Sequence, residues 1–265
     1  MSQELIFDRN LLLKRRAKTA YSLPKADFLI KRSFEDIQEK LQEINQEFPS
    51  ILNLGSRNGY GYEELSKRLG TKKITESNIC NDLLNNPKAI SIVADEENLT
   101  FENNQFDLII SILNLHSVND LPGCLIKLRK ALKPNGVLIA SMFGGENLPQ
   151  LRQILIETEL AILNGISPRM MPNVEIKQLG SLTQRAGFNS TIIDKDYVEV
   201  HYNNPLLLLK DLQNMGENNI MLNRNKSYVG KEFWSKFVEN YITKFSTEDG
   251  SILASFEILT ITALC

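Results

Sequence analysis

Ile51-Leu52-Asn53-Leu54-Gly55-Ser56-Arg57-Asn58-Gly59-Tyr60-Gly61 is a short apolar run that breaks into a glycine-studded turn. The run reads as a strand, and Tyr62 to Leu69 reads as a helix stopped by Gly70. A turn of this kind lets the backbone approach a ligand closely and aims unpaired helix N–H groups at a negative group. Gly55, Gly59 and Gly61 suit a tight strand-to-helix turn with no ligand equally well, so the loop alone leaves both readings open.

Downstream the pattern repeats. Lys73 to Asn78, Ala89 to Ala94, Phe106 to Leu113 and Val137 to Phe143 read as strands. The run from Phe106 is almost wholly apolar, as a strand buried on both faces must be. Pro122 to Leu132 reads as a helix with proline at its opening, stopped by Lys133-Pro134-Asn135-Gly136. Upstream, residues 25–47 carry apolar side chains at helical spacing and end at Pro49. Such alternation predicts an α/β fold with a mostly parallel, doubly wound sheet, helices on both faces and its site at the carboxyl ends of the strands. Beyond it, Leu148–Leu163, Val174–Arg185, Pro205–Met215 and Lys231–Phe245 read as helices. Ser190–Val200 and Ser251–Leu264 read as strands that could join the same sheet as an antiparallel edge pair, making seven. The late helices then form a cap.

Composition narrows the function. The 265 residues hold 30 basic against 32 acidic side chains, a net charge of −2, which argues against gripping nucleic acid phosphates. With 42% apolar residues the chain is ordinary globular material, not a disordered one. Cys80, Cys124 and Cys265 are scattered, and no CxxC or HxxxH occurs, so no local zinc motif is present and no metal is expected. Thiols in this pattern suit a reducing, cytoplasmic setting as small buried groups. Leu108 to Val118 is too short and too polar for an integral membrane segment. Glu4 and Asp8, with no apolar stretch beside them, argue against a secretory leader.

The order Val93-Ala94-Asp95-Glu96-Glu97, Phe106-Asp107-Leu108-Ile109-Ile110-Ser111, Leu115-His116 and Lys133-Pro134-Asn135-Gly136-Val137 resembles the class I S-adenosylmethionine-dependent methyltransferases over about 50–143. The resemblance implies their Rossmann-like fold and S-adenosylmethionine as cofactor. By matching position it implies Asn53, Gly55, Arg57 and Gly59 at the methionine part, with Leu113 nearby, Glu76 or Asn78 at the ribose and Asp95 at the adenine. A narrower resemblance spans nearly the whole chain. It rests on Phe7-Asp8-Arg9 with its basic cluster, on Leu115-His116-Ser117-Val118-Asn119-Asp120-Leu121-Pro122 and on Ser141-Met142-Phe143-Gly144-Gly145-Glu146. Arg185-Ala186-Gly187-Phe188-Asn189, Asp211-Leu212-Gln213-Asn214-Met215-Gly216-Glu217-Asn218-Asn219 and Glu248-Asp249-Gly250-Ser251 complete it. Together these resemble bacterial relatives of a mitochondrial complex I assembly factor that hydroxylates an arginine, a group close to the malonyl carrier-protein methyltransferases of biotin synthesis. The resemblance implies a protein substrate, an arginine of a respiratory complex I subunit, and help in complex I assembly. It divides the chain into a basic arm and helix, 1–48, and one methyltransferase-like domain, 49–265, with helical insertions at about 148–188 and 203–246.

Three positions depart from the family pattern. Asn53 stands where an acid is usual, Arg57 where a glycine is, and Asn78 where the ribose acid is. An amide gives only a neutral hydrogen bond, about half as strong as a charged one. The Arg57 side chain either turns outward, or reaches a cofactor carboxylate, or fills the pocket and leaves a binding module or assembly chaperone without catalysis. Among chemistry-bearing residues, His116 suits a catalytic proton acceptor or a packed histidine at the sheet edge. Glu217 and Asn218 suit a substrate cleft, Glu217 by forked pairing with an arginine, or else a solvated loop. Gly216 reads as a helix C-cap, Asn119 and Asp120 as N-cap residues. Lys14 to Lys18 read as a solvated helix face or a lid, His201 as a strand-end residue, and Phe233, Trp234, Phe237 and Tyr241 as core.

Overall fold

The computed structural model describes residues 5–68 and 70–265. Glu4 and Leu69, the last residue expected in the third helix, lie outside them. A seven-stranded sheet runs in the order β3-β2-β1-β4-β5-β7-β6. Its strands are β1 Ser50–Leu54, β2 Lys73–Asn78, β3 Ile90–Val93, β4 Phe106–Ser111, β5 Leu132–Phe143, β6 Ser190–Tyr202 and β7 Ile252–Leu264. The first five are parallel, and β7 lies antiparallel between β5 and β6. This is the expected mostly parallel sheet with an antiparallel pair at one edge. The order reverses beside β1, whose neighbours β2 and β4 diverge there, and opens a crevice at their carboxyl ends.

Strand alternation sends the apolar side chains to two cores. Ile51, Leu108, Ile110 and Ile139 pack on one face with α2 (Phe28–Glu43), α5 (Pro149–Leu163) and α8 (Lys231–Phe245). Leu52, Leu54, Ile109 and Leu138 pack on the other with α4 (Leu121–Ala131) and α6 (Ile176–Arg185). The three cysteines are buried and unpaired. No described helix is long and apolar enough to cross a membrane.

Four expectations change. The third helix, α3, spans only Tyr62–Ser66. Lys133 to Gly136 does not stop α4 as a free turn but lies within β5, where Phe106 pairs with Leu132 and Leu108 with Val137. Asn135, with φ of 62°, takes up the slack. Asp120 does cap α4 through Gly123 N–H at 2.9 Å, whereas Asn119 accepts from Ile6 and Phe7 N–H instead. The basic arm is itself a helix, α1 (Arg9–Thr19), opened by Asp8, whose carboxylate accepts from Leu11 N–H at 2.9 Å. It lies over the carboxyl edge of the sheet, beside α7 (Pro205–Met215), with Phe7 bridged to Met221. Its basic run is therefore not a solvated face throughout, because Arg16 is buried.

Candidate functional site

Every residue expected at the cofactor lies at the carboxyl edge, but most are engaged by other groups of the chain. Gly55 turns with φ of +74°, and a Cβ there would stand 2.3 Å from Asn114 Cγ, so only glycine fits under that amide. Gly59, with φ of +69°, lies against Asn86. Asn53 donates to Tyr60 O at 3.1 Å and to Ser56 Oγ at 3.3 Å, which ties it into its own loop. Asn78 donates to Ser56 O at 2.9 Å and accepts from Cys80 N–H at 2.8 Å. Glu76 accepts from Asn86 at 3.3 Å, and its second oxygen is buried without a partner among the described residues. Burial pushes its carboxyl above the ordinary range.

Arg57 crosses the mouth of the crevice. Its Nη1 donates to Met215 O at 2.9 Å, and its Nη2 donates to Leu113 O at 2.8 Å and Glu217 Oε1 at 2.7 Å. Met215 ends α7 and Gly216 follows in the left-handed region at φ of +78°. The guanidinium thus satisfies a carbonyl at the negative end of that helix. Glu217 Oε2 meets His116 Nε2 at 2.8 Å, and the imidazole packs on Phe143 with ring centroids 4.8 Å apart. Burial works to raise the Glu217 carboxyl, but His116 and Arg57 outweigh it and hold the group well below the ordinary range. An arginine does pair with Glu217, as its chemistry suggests, and that arginine belongs to the chain itself. The gap between Arg57, Asn53, Gly55 and Tyr60 leaves no room for a water molecule.

The adenine position is also engaged. Arg9 on α1 donates to Asp95 Oδ1 at 2.7 Å, to Ser117 O at 3.0 Å and to Glu96. Asn114 donates to Glu96 Oε1 at 2.8 Å. Two turns further along α1, Arg16 is 2% exposed, and all three guanidinium nitrogens lack a partner among the described residues. Burial lowers its pKa to about 10, and Arg57 acts in the same direction while Glu96 and Glu217 oppose it. Phe7-Asp8-Arg9 marks this helix in the sequence, yet no local signal ties Arg9 or Arg16 to strand ends about 80 residues away.

On the other side of Glu217 lies a cavity of about 350 Å³. Phe143, Met170, Leu212 and Trp234 form much of its wall, and Asn218 and Asn219 lie at its rim. Trp234 thus faces the cavity, unlike Phe233, Phe237 and Tyr241, which are buried in the core as expected. Arg169, also in the wall, donates to Glu159 at 2.6 Å and stacks over Phe233 at 4.8 Å. Asn147 and Asn173 each leave a buried amide oxygen unpartnered among the described residues. A wider groove of about 830 Å³ beside α5 and β6 contains none of the residues expected at the site. His201 stays near the end of β6, bonded to Ser251 at 3.1 Å.

Comparison with known proteins now bears on this geometry. Residues 52–140, which run from within β1 to within β5, match the methyltransferase domain family. The mouse protein named arginine-hydroxylase NDUFAF5, mitochondrial, is 37% identical over 96% of this chain and 75% of its own length. This chain belongs to the arginine-hydroxylase NDUFAF5 family. That family lies within the S-adenosylmethionine-dependent methyltransferase superfamily. The malonyl-[acyl-carrier protein] O-methyltransferase of Gallionella capsiferriformans is 24% identical over 97% of the chain and 90% of its own length. Among solved structures, the YcgJ protein from Bacillus subtilis shares the fold, with a TM-score of 0.59, 11% identity, and coverage of 86% of this chain and 96% of its own. This chain keeps the methyltransferase sheet, with Asn53, Arg57 and Asn78 at its crevice.

Proposed function

We propose that this chain receives a side chain of a protein partner in the 350 Å³ cavity at the carboxyl edge of β5, and that the partner is a subunit of respiratory complex I whose assembly it assists in the cytoplasm. The observation that carries the reading is the cavity itself. Its wall combines the apolar side chains of Trp234, Met170 and Leu212 with the Glu217 carboxylate. Membership in the NDUFAF5 family supports an arginine as that side chain. Its stem suits the apolar wall, and its donors suit the lone pairs that Glu217 has left beside Arg57 and His116. His116, bonded to Glu217, serves on this reading as a positioning residue for the carboxylate.

The superfamily's usual cofactor, S-adenosylmethionine, does not fit the cradle as arranged. Arg57 holds Leu113 O, Asn53 and Asn78 are turned inward, and Arg9 holds Asp95. One observation favours a second reading, in which α1 and Arg57 swing aside to admit the cofactor: Arg16 and one Glu76 oxygen are buried with no partner among the described residues. Deleting the gene and measuring assembled complex I tests the first reading. Loss of assembly, restored by the wild type but not by Trp234→Ala, is expected. Normal assembly in the deletion strain refutes it. Mass spectrometry of the subunit's arginines separates the two readings, because only a cofactor-dependent enzyme leaves a modification that vanishes on deletion.

A further inference from the structure

We infer that the chain has closed its cofactor cradle with its own guanidinium groups and works without S-adenosylmethionine, as a binding protein. The inference deepens the partner-binding reading and rests on it for the role of the protein. The closure itself stands on separate observations.

The first is the backbone carbonyl at Leu113, where the cofactor is expected. Arg57 already occupies it at 2.8 Å and carries the same charge as a ligand ammonium. Displacing that guanidinium would strip Met215 O and Glu217 of their donor as well, and Glu217 would remain buried with one partner fewer. The second is the loss of attracting charge. Asn53 and Asn78 are neutral where acids are usual, their amides are spent on Tyr60 O, Ser56 O and Cys80 N–H, and burial pushes Glu76, the acid left at the ribose position, towards its neutral form. The third is that the acids beside the crevice are already paired: Arg57 and His116 hold Glu217, and Arg9 holds Asp95 and Glu96. The fourth is α1, which Arg9 clamps over the adenine position through Asp95, Glu96 and Ser117 O.

The replacement also has a use. Arg57 ties together the β1 loop, the end of β4 and the end of α7, three segments far apart in sequence. Together with His116 it fixes Glu217 in the floor of the partner cavity. A crevice that in a transferase must stay loose enough to load and unload a cofactor becomes a rigid floor for one side chain.

The test is calorimetric titration of the full chain with S-adenosylmethionine and with S-adenosylhomocysteine to millimolar concentration, alongside thermal unfolding. No saturable heat and no shift in melting temperature are expected. Saturable one-to-one binding overturns the inference. The triple variant Asn53→Asp, Arg57→Gly, Asn78→Asp restores the acids and removes the plug. If folded, it is expected to bind S-adenosylhomocysteine at least about tenfold more tightly than the wild type, equivalent to roughly 1.4 kcal/mol. A folded triple variant that binds no better than the wild type overturns the assignment of closure to these side chains. Complex I assembly in complemented deletion cells is scored separately. Restored assembly with cofactor heat sinks this inference alone, whereas failed complementation without heat sinks the partner reading and leaves the closed cradle standing.

Discussion

Replacing Arg57 by methionine keeps most of the side-chain volume and removes the charge. In the wild type the guanidinium is nearly inaccessible and makes three hydrogen bonds, one of them to an equally buried carboxylate. Taking away one partner of a buried ion pair costs about 3–5 kcal/mol, because the other charge stays behind without compensation. Leu113 O and Met215 O lose their donor too, but those losses belong to the same network and do not add in full. For a chain of this size such a penalty lowers the melting temperature by about 10 °C. The pH dependence follows from Glu217, whose folded pKa is depressed despite burial because His116 and Arg57 favour its charged form. A depressed carboxyl contributes stability above its unfolded value, near about 4.3, and loses that contribution as pH falls towards the folded value. Arg57→Met relaxes the depression, so its penalty is full at pH 7 and shrinks below about pH 4. Urea unfolding of the wild type, Arg57→Met, Glu217→Gln and the double variant measures this, with a coupling of about 1–3 kcal/mol expected. A single-variant penalty under about 1 kcal/mol, or one that is the same at pH 3 as at pH 7, refutes the reasoning.

Four further outcomes are expected. Asp8→Ala removes the cap of α1 and costs about 1 kcal/mol in urea unfolding, with faster proteolysis between Arg9 and Thr19. Arg9→Met leaves Glu96 fully buried with only Asn114 as partner, so it costs about 3 kcal/mol and speeds hydrogen exchange across α1, whereas equal exchange in both proteins would count against the clamp. Gly55→Ala meets both a left-handed φ and the Asn114 side chain, and costs about 2–4 kcal/mol. Gly187→Ala, with φ of +92° but nothing within 4 Å, costs only about 1–2 kcal/mol by urea unfolding.

Much of this fold is legible because its signals are local. The strands β1 and β4 announce themselves as apolar runs, and the caps at Asp120 and Gly216 sit where their residue types say. The place of α1 is less legible. Its apolar residues form no strong stripe, since its inward face carries Arg16 as well as Leu12. The sequence pointed to Glu217 as the partner of an arginine, but not to Arg57, because the two are 160 positions apart and meet only after α7 has packed over the sheet. The same holds for Arg9 and Asp95, 86 positions apart. The spacing of Trp234 with Phe233 and Phe237 reads as core, and periodicity alone does not distinguish a packed wall from the wall of a cavity.

The position of β7 sets the order in which the molecule can be finished. It is inserted between β5 and β6, pairing with Val137 to Phe143 on one side and with Ser190 to Tyr202 on the other. Until β7 leaves the ribosome, β6 has no neighbour to zip onto, and β5 presents a bare edge made of Val137, Leu138, Ile139, Ala140 and Met142. Such an edge invites pairing with a foreign strand. The nascent chain therefore passes through a five-stranded stage that is adhesive on one flank, and any mutation that slows arrival of the closing strand should show up first as aggregation during synthesis, before any loss in the finished protein.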